Sequence, residues 1–223
     1  MVVLLVILTF CVMLLIDHLL FRQPVMIEEG TARPAKRPRL VASIVAGFEV
    51  PDNLRYHPGH TWAVSETPDL VRVGIDDLAA KVAGKLAGIS IPERGQWIRQ
   101  GQKIIALHHD GREVDLVSPI EGEVVGTNDA ALQDLELARK DPYGDGWLLK
   151  VHAPAADENF RNLLGGALAR RWMDDAAAKL RSIVQQQTPA AALAQDGGIA
   201  MDSVIDQLQE KEWESVNREL FLN

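Results

Sequence analysis

The sequence predicts a mainly β body of small-barrel or sandwich type, with an N-terminal transmembrane helix in front and C-terminal α-helices behind. Residues 48–152 form many short alternating segments with closely spaced turn signals. Residues 1–21 are almost wholly apolar. Beyond Pro154, apolar side chains recur at every fourth position.

The first element is the apolar run. From Met1 to Ile16 only Thr9 is polar, and Leu19, Leu20 and Phe21 resume the run after Asp17 and His18. A helix of that length rises about 31 Å, against a hydrocarbon core of roughly 30 Å, so residues 1–21 are expected to contact membrane lipid. No positive charge precedes the run, whereas a secretory signal carries one there. Arg22, Arg33, Lys36, Arg37 and Arg39 follow it. The loop-charge rule then predicts a single-pass inner-membrane protein with its N-terminus outside and its body on the cytoplasmic side. Residues 22–47, with Pro24, Pro34 and Pro38, read as a basic tether, 48–159 as the β domain and 160–223 as a helical extension.

Charge and composition exclude several functions. The 223 residues carry a net charge of −8, of which residues 1–39 contribute +2, so the remainder is strongly acidic. A body of that sign lacks the basic footprint of a nucleic-acid binder. The lone cysteine, Cys11, rules out an intrachain disulfide and a cysteine-built zinc or iron–sulfur site. There is no Gly-x-Ser-x-Gly elbow and no Gly-rich phosphate loop.

Within the body, Trp62, Val64, Val71, Val73 and Ile75 alternate on either side of a turn at 66–69, which predicts a hairpin. Leu78, Ala79, Val82 and Leu86 predict a helix capped by Asp76 or Asp77 and ended by Gly88. Strands follow at 89–91, 97–98, 103–107 and 112–117, the last two joined through Asp110-Gly111, whose residues suit a tight turn with positive φ. Ser118-Pro119 breaks the ladder before a strand at 123–125. The stripe Phe160, Leu164, Leu168, Trp172, Ala176, Leu180 and Val184 predicts one long helix bent at Gly165-Gly166. Met201, Ile205, Leu208, Val216 and Leu220 predict a second over 199–221. Their apolar faces are expected to pack inside the molecule, with a partner protein as the alternative.

Several motifs in register carry a family resemblance: Leu54-Arg55-Tyr56, His60-Thr61-Trp62, Val71 to Ile75, Ser118 to Val125, Asn128, and Asp141 to Leu148. From Val50 to Leu164 the chain resembles the glycine cleavage system H proteins. The resemblance implies a lipoyl-type flattened barrel, a barrel-sandwich hybrid, that carries an aminomethyl group on a lipoyl arm. The family attaches lipoate to a lysine at a hairpin tip, within a segment that typically reads Glu-Ser-Val-Lys-Ala. Here those five positions are His108, His109, Asp110, Gly111 and Arg112, so Gly111 stands where the lysine is expected. Glycine has no amine to acylate, and the guanidinium of Arg112 is a poor nucleophile. Lys103 is the nearest lysine along the chain.

The expectation is therefore a non-lipoylated accessory or scaffold subunit, neither an enzyme nor a cofactor carrier. It would bind a protein partner at the cytoplasmic face through His108, His109, Asp110 and Arg112. An alternative is a ligand or metal sensor at the tip using His108, His109 and Asp110, joined in space by His57 or His60. Neighbouring strand residues face opposite ways, which opposes a shared ion at His108 and His109. A third possibility keeps the carrier role through an unconventional attachment. Trp62 is expected to be a packed core aromatic.

Overall fold

The computed structural model describes residues 42–187 and 210–221, together with Met13 and Leu208. Among the described residues no helix is long and apolar enough to cross a membrane. The expected span 1–21 and residues 22–41 of the expected tether 22–47 lie outside the described residues, Met13 aside, while the end of that tether is structured: Ala42–Val45 form a strand that pairs with Phe48–Pro51. The chain divides into Met1–Arg39 and Leu40–Asn223, and the architecture below belongs to the second unit.

Three antiparallel sheets make up the body. Strands β1 (Ala42–Val45) and β2 (Phe48–Pro51) pair through Ala46 and Gly47, both at positive φ. The largest sheet holds β3 (Arg55–His57), β4 (Thr61–Thr67), β5 (Leu70–Ile75), β7 (Trp97–Ile98), β10 (Gly122–Thr127) and β11 (Leu149–His152) in the order β3-β4-β5-β11-β10-β7. The third has β6 (Gly88–Ser90), β8 (Lys103–His109) and β9 (Arg112–Val117) in the order β6-β8-β9, which leaves β9 at an edge. The predicted hairpin is β4–β5, with Trp62 opposite Gly74. Fully buried Tyr56, Trp62, Ile75, Leu107, Leu116 and Leu148 belong to one core.

Helix α1 (Asp77–Ala83) starts where the sequence indicates, because the Asp76 side chain accepts from the Ala79 N–H. It ends earlier than expected. Gly84, at φ +63, closes the helix with its N–H on the Lys81 carbonyl, and the chain turns so that the Ala87 N–H reaches the His108 carbonyl. Leu86 thus packs from the connecting turn, and Gly88 opens β6. Two short helices, α2 (Asp129–Gln133) and α3 (Leu135–Lys140), precede the Asp141-Pro142 loop.

The predicted long helix is two elements. Helix α4 (Ala156–Phe160) stops, the Leu164 backbone pairs with Tyr56, and α5 (Gly166–Gln187) begins with Gly166 at φ +53. Within α5 the expected stripe holds from Trp172 onward: Trp172 packs on the core, and Ala176, Leu180 and Val184 are buried, joined by Ala169, Met173 and Ala177, while Leu168 is 59% exposed. The second extension helix, α6 (Glu210–Val216), runs into a π-helical turn at Asn217–Phe221. Its residues Trp213, Val216, Leu220 and Phe221 are buried within this unit, in keeping with the internal packing expected. Met201 and Ile205 lie outside the described residues.

Candidate functional site

The β8–β9 hairpin forms the site. Asp110 and Gly111 have φ of +44° and +82°, the left-handed pair that a two-residue turn demands, and His109 faces Arg112 across the last rung. Both turn residues are exposed, and a Cβ on Gly111 would meet nothing within 4 Å. The tip therefore presents bare backbone and one carboxylate.

The flanking side chains part company, as strand alternation requires. The His108 ring lies 2.7 Å from the Ser90 hydroxyl through Nε2 and 3.5 Å from the Glu113 carboxylate through Nδ1. His109 is buried on the other face, where its Nδ1–H donates to the Lys85 carbonyl at 2.6 Å. Arg112 donates to the Leu208 carbonyl at 2.8 Å, and Asn217 donates to the Glu113 carbonyl at 3.3 Å. The residues ahead of the C-terminal helix, and its final turn, thus grip the strand leading from the tip.

His57 and His60 do not join the tip histidines in a common site. His57 Nδ1 accepts from the Gly59 N–H at 3.0 Å. His60 Nδ1 sits 2.7 Å from the Asp76 carboxylate, with both side chains buried, and its ring packs on Trp172 and Phe221. Among the described residues no group of three or more His, Cys, Asp or Glu side chains is arranged to hold a metal ion.

Burial, and secondarily the neighbouring His60, lowers the His57 pKa below its ordinary 6.5. The folded state thus favours the neutral ring, whose Nδ1 can accept from Gly59. The resulting stability is complete above the unfolded value and is lost as pH falls through the lowered folded value. Urea unfolding is expected to show stability declining from about pH 7 to about pH 5, with a shallower decline in His57→Gln. An equal slope in both proteins refutes the assignment.

Lysine placement corrects the linear reading. Lys103 starts β8, opposite Val117 at the far end of the hairpin from the tip. Its ammonium pairs with Asp115 at 3.1 Å, at the side of a groove of about 540 Å³ that also includes Trp97 and Ile104. Lys85 is the lysine whose backbone lies beside the tip: the Ala87 N–H reaches the His108 carbonyl, and the Lys85 carbonyl accepts from His109, the residue before the turn. The His109–Lys85 hydrogen bond holds the connecting turn there. Lys81, Lys103, Lys140, Lys150 and Lys179 each pair with a carboxylate, whereas exposed Lys85 forms no ion pair among the described residues. Sequence reasoning missed Lys85 because 26 positions separate it from Gly111.

Comparison with known proteins matches this architecture. The sequence pattern of the family described as glycine cleavage H-protein fits residues 54–175. A glycine cleavage system H protein from Pseudoalteromonas atlantica is 35% identical over 109 residues, covering 49% of this chain and 84% of the relative. A probable glycine cleavage system H protein from Natronomonas pharaonis is 38% identical over 110 residues, covering 49% and 86%. The crystal structure of a glycine cleavage system H protein from Mycobacterium marinum superposes with a TM-score of 0.50 at 29% identity, covering 56% of this chain and 99% of that one.

The inner-membrane placement expected from residues 1–39 is corrected here. The matched relatives are glycine cleavage system H proteins, and among the described residues no helix is long and apolar enough to cross a membrane.

Proposed function

Since the chain belongs to the glycine cleavage H-protein family, we propose that it acts as a non-catalytic, non-lipoylated member that binds a protein partner through the β8–β9 hairpin. The observation that carries this reading is the tip itself. Asp110-Gly111 forms the turn with Gly111 at positive φ, so the most projecting position has no side chain on which an arm could be built. What remains is an exposed turn of Asp110 and Gly111 flanked by half-buried His108 and Arg112, with His109 turned inward to hold the Lys85 carbonyl, a surface suited to docking rather than covalent carriage. The partner is a protein of the kind that engages an H protein.

Intact-mass measurement of the protein purified from its native source tests this reading. The expected result is the unmodified chain mass. A mass raised by one lipoyl group overturns the proposal.

A second reading has one specific observation in its favour. The amine of Lys85, exposed and without a carboxylate partner among the described residues, has the chemistry for amide attachment that Gly111 lacks, and its backbone is held by His109 beside the tip. Under that reading the protein remains a carrier, and the mass increment disappears in Lys85→Arg while persisting in Lys103→Arg. An increment retained in Lys85→Arg excludes it.

A further inference from the structure

Strand β9 is an edge strand, and edges offer unpaired backbone groups to other chains unless something covers them. Here the chain covers its own edge. Leu208 and the segment 210–221 lie against β9 and α5, beyond the family-matched residues 54–175. Asn217 takes the Glu113 carbonyl, Arg112 holds the Leu208 carbonyl, and Lys179 of α5 donates to the Glu219 carbonyl at 2.9 Å. Trp213, Val216, Leu220 and Phe221, at intervals of three, four and one, turn one apolar stripe inward, and Phe221 meets the His60 ring edge-on.

Two features set this cover apart from ordinary core packing. Among the described residues the buried Asn217 Oδ1 has no hydrogen-bond partner, a cost that an incoming segment without that atom avoids. The helix also finishes as a π-helical turn, a rare geometry that recurs at functional sites. In addition, the cover engages Arg112, one of the residues through which the hairpin is proposed to dock.

We propose that residues 208–221 are an autoinhibitory strap. They occupy the β9 edge and Arg112, and a partner's amphipathic helix must displace them to bind. The strap is the template for that helix: an aromatic residue at each end of an aliphatic stripe, with a carboxylate facing Lys179. This inference rests on the partner-binding reading of the hairpin.

The test uses the full-length chain and a fluorescent synthetic peptide of residues 208–221. In the wild-type protein the tethered strap competes with the peptide. In Trp213→Ala/Phe221→Ala the strap is undocked, so apparent affinity for the peptide is expected to rise at least about tenfold, the fraction of open protein setting the gain. Adding Arg112→Ala to that background is expected to weaken binding several-fold. Equal affinity in the wild type and the double variant, or no binding to either, overturns the proposal. If the double variant does not fold, Phe221→Ala alone is measured by the same criteria. The readout depends on neither the native partner nor the modification state. A failure here therefore leaves the reading of the tip standing, whereas a lipoylated protein would remove that reading and with it the autoinhibitory role, leaving only the competition between strap and peptide.

Discussion

Trp62→Ala is expected to destabilise the fold by about 3–5 kcal/mol, a large share of the roughly 5–15 kcal/mol that holds a domain of this kind together. Trp62 is fully buried opposite Gly74, and a Cβ at Gly74 would approach the indole to 2.5 Å, so the ring fills space left by the missing side chain. Its Nε1–H donates to the Ile75 carbonyl at 2.8 Å and to the Pro142 carbonyl at 3.2 Å, tying β5 to the Asp141-Pro142 loop. Tyr143 lies 6.2 Å from the indole, centroid to centroid, so truncation opens a cavity among groups placed by distant parts of the chain. Urea denaturation at constant pH measures the effect. Trp62→Phe keeps a buried aromatic ring but loses the N–H donor and part of the indole volume, and is expected to cost less than Trp62→Ala, leaving it about 1–2 kcal/mol or more below wild type. A Trp62→Ala protein within about 1 kcal/mol of wild type would contradict the assignment of this side chain to the core.

The second large effect is expected at Asp76. Its two carboxylate oxygens do separate work: Oδ1 caps α1 through the Ala79 N–H at 2.8 Å, and Oδ2 meets His60 Nδ1 at 2.7 Å. Both residues are buried, so Asp76→Ala strands the imidazole and the first turn of the helix together. Breaking a buried pair by removing one partner costs about 3–5 kcal/mol, and loss of a cap alone costs about 1 kcal/mol. Asp76→Asn keeps one oxygen for the cap but places an NH2 donor where His60 met the second oxygen, so it is expected to recover only the cap's share, about 1 kcal/mol, of the loss. Thermal unfolding of the two variants distinguishes the roles. Equal destabilisation by alanine and asparagine would show that the cap carries none of the effect, and near-complete recovery in asparagine would show that the contact with His60 carries little.

Much of the β body was legible in the sequence. Alternation at Trp62, Val64, Val71 and Val73 located β4 and β5, and Asp110-Gly111 located the tip, because each feature depends on residues close along the chain. The family resemblance pointed to the same hairpin. Helix continuity at the C-terminal extension was harder to read. An unbroken four-residue repeat from Phe160 to Val184 looks continuous on paper, yet Leu164 is drawn into backbone pairing with Tyr56, more than a hundred positions away. The α1 terminus slipped for a similar reason, since the pairing of Ala87 with His108 pulls Lys85 and Leu86 out of the helix.

Of the candidate site, the chain order supplied the identities of His108, His109, Asp110, Gly111 and Arg112, and the expectation that neighbouring histidines face apart. Local dihedral preference and two-residue periodicity suffice for those, because both arise from sterics among adjacent residues. Three features required the folded molecule: the Lys85 carbonyl held by His109 beside the tip, His60 locked to Asp76, and Arg112 bound to the Leu208 carbonyl. Each is a contact between residues far apart in sequence, selected by which buried surfaces fit and which polar groups must find partners once water is excluded. Such choices are made by packing among whole elements, and no short window of residues contains them.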